Sequence, residues 1–193
     1  MVDRDGQWST LQFEEVALAE FRFLLTEYGF ALVAADSSNL SFERDNVRVV
    51  VRQDRESFEL RVTVERKDTG ERFSVWEIAR LQGAPDITEQ TFLQATAKEH
   101  VQILLPELAG LLRTYGQSVL RGDSETLLRL RAQQIEESNR FLREGRVRWV
   151  RERLPAIWEQ HDYVQVVKLL EEVRDQLSPS ELAKLDYARR HLT

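Results

Sequence analysis

Residues 40–75 read LSFERDNVRVVVRQDRESFELRVTVERKDTGERFSV, and this stretch decides the fold. Val47, Val49 and Val51 alternate with Arg48, Val50 and Arg52. After the polar run 53–57, Phe58, Leu60, Val62 and Val64 alternate with Glu59, Arg61, Thr63 and Glu65. A period of two sends successive side chains to opposite faces, so the sheet has one apolar and one charged face. Asp45-Asn46 and Asp68-Thr69-Gly70 supply turns, and residues 72–75 a last strand. Upstream, residues 30–35 read as a short apolar strand and Asp36-Ser37-Ser38-Asn39 as the turn into residues 40–44. The result is a meander of four or five antiparallel strands that needs cover on one side only.

The segment before the meander supplies that cover. Ser9 and Gln12 are spaced as a capping box, with Trp8 and Phe13 at the hydrophobic-staple positions. The predicted helix runs through Val16, Ala17, Glu20, Phe21, Leu24 and Tyr28, and Gly29 suits its left-handed stop. Beyond the meander the chain reads as helix. Trp76–Gln82 forms a short turn ended by Gly83-Ala84-Pro85. A long helix is expected from about Ile87 to Tyr115, capped by Asp86 or Thr88, with a seam through Ala97, Val101, Leu104, Leu108, Leu111 and Tyr115 and a bend at Pro106.

Asp123 caps a helix expected to reach about Glu144, and Val147, Val150, Leu154 and Ile157 form a separate stripe with Pro155 as a kink or restart. Tyr163, Val166, Leu170, Val173 and Leu177 form another stripe, widened by Val167 and Leu169. Ser178-Pro179-Ser180-Glu181 then combines an N-cap, a proline at the first helical position and a capping-box glutamate. The fold class is α+β: an N-terminal helix on a four- to five-stranded antiparallel meander, then a mainly helical C-terminal half. Residues 1–122 are read as the α+β domain and 123–193 as a helical region.

Composition narrows the chemistry. The 193 residues include no cysteine, which excludes disulfides, iron–sulfur clusters and thiolate zinc sites. No apolar run approaches the ~20 residues of a membrane span. Acids stand where a signal peptide would be basic, so a cytoplasmic protein with no membrane contact is expected. His100, His161 and His191 are scattered, and none has a second histidine three or four positions away. No Gly-x-Ser-x-Gly elbow or phosphate-cradling glycine loop is present. The pairs Glu14-Glu15, Glu136-Glu137 and Glu171-Glu172 point ~100° apart on helix surfaces, which suits solvation rather than a general acid/base dyad. The reading therefore assigns no catalytic residue, no cofactor and no metal.

Charge is distributed unevenly. Residues 1–128 carry 14 Lys+Arg against 22 Asp+Glu, whereas residues 129–153 carry 8 arginines against 4 glutamates. Arg129, Arg131, Arg143, Arg146, Arg151 and Arg153 of this basic island are the candidate partner-binding residues. A competing explanation pairs Glu136, Arg140, Glu144 and Arg148 in an i,i+4 ladder. The remaining arginines would then pair with the chain's own acids. Arginine outnumbers lysine 23 to 4, which fits the codon usage of a GC-rich bacterial genome.

Two resemblances bear on function. Residues 20–30 (EFRFLLTEYGF), 40–51 (LSFERDNVRVVV), 55–60 (RESFEL), 81–85 (LQGAP) and 120–123 (LRGD) resemble an uncharacterised family of small bacterial cytosolic α+β proteins, some of them immunity-protein-like. The likeness covers roughly residues 10–130, rests on turns, strands and caps, and carries over no catalytic residue. Ala156-Ile157-Trp158, Asp162-Tyr163-Val164 and residues 166–170 (VVKLL) are similar to a tetratricopeptide-like helical hairpin, a type that binds proteins. These imply a non-enzymatic bacterial protein acting through protein–protein contacts, as an immunity or accessory factor. The alternatives are nucleic-acid association through residues 129–153 and an enzyme whose site is assembled from distant residues.

Overall fold

The computed structural model describes residues 7–85 and 93–192, with side chains from residue 13 onward. By packing, the chain divides into two compact units, Met1–Ala132 and Gln133–Thr193.

The first unit is the α+β body. Helix α1 (Gln7–Glu20) is followed, after a break at Phe21, by α2 (Arg22–Thr26). Because α1 has begun before Ser9, that residue does not stand at its N-cap position; the side chains of the expected capping box and Trp8 lie outside the described residues. Phe13, Ala17, Phe21 and Leu24 are buried at helical spacing. Gly29 ends the segment at φ 71°, a left-handed conformation that costs a Cβ-bearing residue about 1 kcal/mol.

Five strands follow: β1 (Ala31–Asp36), β2 (Asn39–Arg44), β3 (Val47–Gln53), β4 (Leu60–Arg66) and β5 (Arg72–Ser74). They form one antiparallel sheet in sequence order. Leu40, Phe42, Val47, Val49, Val51, Leu60, Val62, Val64 and Phe73 point into the core, so the alternation read from the sequence is the alternation of the sheet. Strand β1 departs from its apolar sequence. All six of its residues are exposed, because it is an edge strand and its register slips between Leu32 and Ala34.

Helix α3 (Val75–Leu81) begins at a capping box that the sequence reading overlooked: Glu77 N–H donates to Ser74 Oγ at 3.2 Å, and Ser74 N–H to Glu77 Oε2 at 2.6 Å. The long helix is shorter than expected. Helix α4 spans Lys98–Tyr115 with Ala97 as N-cap; the proposed caps Asp86 and Thr88 lie outside the described residues. The preceding segment is held by the sheet instead. Leu60 N–H donates to Leu93 O (2.9 Å), Ala95 N–H to Phe58 O (2.8 Å), and buried Gln53 Nε2 to Ala95 O (3.1 Å). Its buried stripe is Val101, Leu105, Leu108, Ala109 and Leu112, rotated from the expected seam so that Leu104 and Leu111 lie at the margin. The helix continues through Pro106. Helices α1 and α4 pack on each other and on the inner face of the sheet.

After α5 (Gln117–Leu120), a single helix α6 runs Ser124–Glu159, through both Glu144 and Pro155. Asp123 caps it, accepting from Thr126 N–H at 2.9 Å. Leu127 and Leu130 belong to the first core, so packing continues beyond residue 122. The second unit contains the rest of α6, α7 (Tyr163–Glu171), a 3₁₀ turn (Arg174–Gln176) and α8 (Pro179–Arg190). Its core is Val147, Val150, Leu154, Val166, Leu169, Leu170, Val173, Leu185 and Ala188. Helix α8 starts with Ser178 as N-cap, Pro179 behind it and Glu181 closing the box, as its sequence signature demands.

Helix α6 stops in a Schellman arrangement: His161 N–H donates to Trp158 O and Asp162 N–H to Ile157 O, with His161 left-handed at φ 56°. Replacing His161 with Gly should raise stability by about 1 kcal/mol, read as a higher thermal midpoint. An unchanged midpoint would mean that the contact between Tyr163 Oη and His161 Nδ1, at 3.3 Å, offsets the strain.

Candidate interaction surface

The outer face of the sheet is organised in three rows by strand register. Ala34, Ser41, Val50, Thr63 and Ser74 align across the five strands as a floor of small side chains. On one side Glu43, Arg48, Glu65 and Arg72 align with alternating charge; on the other, Asn39, Arg52 and Arg61 align. Between them lies an open trough of about 600 Å³.

Its charges are largely spent on one another. Glu43 binds Lys67 at 2.6 Å and Arg48 at 2.7 Å, and these two cations hold its carboxyl below the usual range. Glu65 lies between Arg48 (3.7 Å) and Arg72 (3.5 Å), while Glu59 binds Arg61 at 2.5 Å. Pairing of this kind on an open sheet is cross-strand stabilisation. It also neutralises Glu43, Glu59 and Glu65 of the acid-rich N-terminal region. No histidine lines the trough; His100 is exposed near the start of α4, 3.4 Å from Thr96 Oγ1.

The candidate arginines have different surroundings. In the first unit Arg131 binds Glu71 at 3.3 Å, and Arg129 is exposed with no ion pair among the described residues. In the second unit, Arg151 forms a fork with Glu181, at 2.8 Å through Nε and 3.2 Å through Nη2, and also donates to Gln176 O at 3.1 Å. Arg146 pairs with Glu172 and, with Arg153, brackets the Trp149 ring; the guanidinium carbons lie 4.2 and 4.6 Å from its centroid. Arg143 is exposed and forms no ion pair among the described residues, and the same holds for Arg140 and Arg148. The expected Glu136–Arg140–Glu144–Arg148 ladder is not formed within 4 Å among the described residues. In water, ordering such long side chains costs about as much as an exposed pair gains.

Sequence reading missed the apolar residues among these charges. Ile135, Phe141 and Leu142 are 47%, 75% and 65% exposed. They sit on the α6 residues of the second unit that precede Val147, the first residue of its core. The signal was present in the spacing, since Ile135, Ser138, Leu142 and Gly145 step by three, four and three. Ile135 and Leu142, one heptad apart, share a side of the helix, while Ser138 and Gly145 leave its intervening positions without an apolar side chain.

The far end of the second unit gathers aromatic rings. Tyr163 lies 6.0 Å from Trp158, 5.8 Å from Tyr187, 6.0 Å from His161 and 5.3 Å from His191, and Tyr187 stacks on His191 at 3.9 Å. Burial, with Tyr187 as a hydrogen-bond partner, pushes the Tyr163 hydroxyl above the usual tyrosine range. Two histidines that looked scattered thus converge on one tyrosine. Among the described residues no group of three or more His, Cys, Asp or Glu is arranged to hold a metal ion, and no helix is long and apolar enough to cross a membrane. Comparison with protein-family models, curated proteins and solved structures finds no match to this chain.

Proposed function

We propose that this protein acts by protein–protein contact through the uncovered middle of α6, as an accessory or immunity-type binding factor. The observation that carries the reading is the exposure of Phe141 and Leu142, at 75% and 65%, beside Arg140 and Arg143. Each such apolar side chain forgoes about 1.5–3 kcal/mol of burial while it faces water. An aromatic ring with neighbouring arginines is also the composition of interface hot spots. Arg131, Arg146 and Arg151 are bound within their own units, which reduces what the basic island offers to phosphate.

The test is co-purification of the tagged full chain from source cells at low and high salt, beside the double variant Phe141→Ala/Leu142→Ala. A bound polypeptide that survives high salt is expected, with at least a tenfold loss of affinity in the variant and no change in its thermal midpoint. Nucleic acid that elutes at low salt and is lost at high salt would replace this reading with the nucleic-acid one, which Arg129, Arg140, Arg143 and Arg148 would then carry. Equal capture by both proteins would also overturn it.

A further inference from the structure

We infer that residues 133–145 of α6 form a conformational joint, a stretch of helix that opens to coil by itself while the cores on either side of it stay folded. Opening needs no partner, so it stands apart from the interaction reading. Leu127 and Leu130 fix the helix in the first core, and Val147, Val150 and Leu154 fix it in the second. The thirteen residues between them belong to neither core: none is buried, ten are exposed, and Gln133, Gln134 and Glu137 are half-exposed. Helices in proteins draw most of their stability from a packed apolar face, and a helix of about 12–15 residues without one is marginal in water.

Local sequence does little to make up the difference. Ile135, Ser138, Asn139 and Phe141 are only moderate helix formers, and Gly145 is the poorest short of proline. Gln133 Nε2 donates to Glu137 Oε1 at 3.1 Å, one turn on, but the Glu136–Arg140–Glu144–Arg148 pairs that would brace the segment are not formed within 4 Å among the described residues. Because both ends are anchored as helix, the segment lacks propagation rather than nucleation, and it is weakest around Gly145. Nothing in the packing requires a glycine there: a Cβ at residue 145 would meet no atom within 4 Å, and the backbone is not left-handed. Its effect is to loosen the helix. Closed, the segment makes one continuous helix of α6; open, it leaves two anchored ends. Whatever binds the helical form closes the joint, a partner on Phe141 and Leu142 included.

Hydrogen exchange of the full chain, resolved by residue, is the test. The amides of residues 138–145 should be protected at least about tenfold less than those of residues 150–154 in the same helix and of residues 163–171. Equal protection would mean that the segment opens only when the second core does, and the joint would be overturned. Gly145→Ala adds a Cβ in open space and so changes helix propensity alone. It should slow exchange in residues 138–145 about fivefold, the equilibrium factor between glycine and alanine inside a helix, and leave residues 163–171 as they were. A rise shared with residues 163–171, or no rise at all, would also overturn it. Gly145→Pro should strip protection from residues 141–145 while residues 101–112 and 163–171 keep theirs. Loss of protection in either core would show that both depend on an unbroken α6, and no joint would then exist.

Discussion

Leu170→Ala should destabilise the second unit by about 2–5 kcal/mol and expose its amides while leaving the sheet protected. Leu170 is fully buried in a core of nine residues drawn from the α6 segment, α7, the turn after it and α8. A unit of this size, residues 133–193, has a stability of roughly 3–9 kcal/mol at the usual value per residue. The cavity left by three carbon atoms therefore removes a large part of it. The first unit has a separate core in which Phe13, Phe21, Phe42 and Phe73 are fully buried. Hydrogen exchange resolved by segment is the measurement. Residues 163–171 and 179–190 should lose protection in the variant, and residues 47–53 and 60–66 should keep theirs. Equal loss in both sets would mean that the two cores unfold as one.

Acidification should remove a second contribution from the same unit. Glu181 is partly buried beside Arg151, which holds its carboxyl down from an ordinary value of 4.5 to about 2, with hydrogen bonds from Ser178 adding to the effect. A folded-state value below the unfolded one means that the interaction stabilises the unit above about pH 4.5 and is lost as pH falls toward 2. Because the Arg151 side chain is half exposed, solvent screening reduces the contribution to about 1–3 kcal/mol.

Glu181→Gln separates this ion pair from the helix cap, since a glutamine still accepts from Ser178 N–H in a capping box. It should cost about 1–2 kcal/mol near neutral pH. Glu181→Ala also loses the cap and should cost about 1 kcal/mol more. Urea unfolding at several pH values checks both. The gap between the parent and Glu181→Gln should close as the pH approaches 2, and a gap that stays constant on acidification would show that Arg151 is not the cause.

The inner face of the sheet was legible in residues 40–75 because alternation is a property of the strand itself. The Ser178–Glu181 start of α8 was legible because a cap is closed by residues three apart. The start of α4 was not. Residues 93–96 alternate apolar and polar as Leu-Gln-Ala-Thr, but four residues are too short a run to stand out ahead of a helical seam, and their extended shape comes from hydrogen bonds to Phe58, Leu60 and Gln53. The single helix α6 was also hidden, because Gly145 and Pro155 are helix-breaking residues in isolation, whereas the helix runs through both. The two histidines near Tyr163 come from opposite ends of a helical hairpin and converge only when α7 and α8 pack.

The sequence by itself determined the α+β class, the order of the strands, the inward-facing residues of the sheet and the caps of α6 and α8. These depend on neighbours two to four residues away, whose geometry is set by backbone periodicity. Tertiary structure alone decided which charges are spent and which apolar residues are left in water. Arg151 meets Glu181 across thirty residues, Arg131 meets Glu71 across sixty, and Ile135, Phe141 and Leu142 stay exposed among the described residues. An arginine or a leucine has the same local signature whether or not a distant element arrives to cover it. The interaction surface is what remains after those long-range contacts are made.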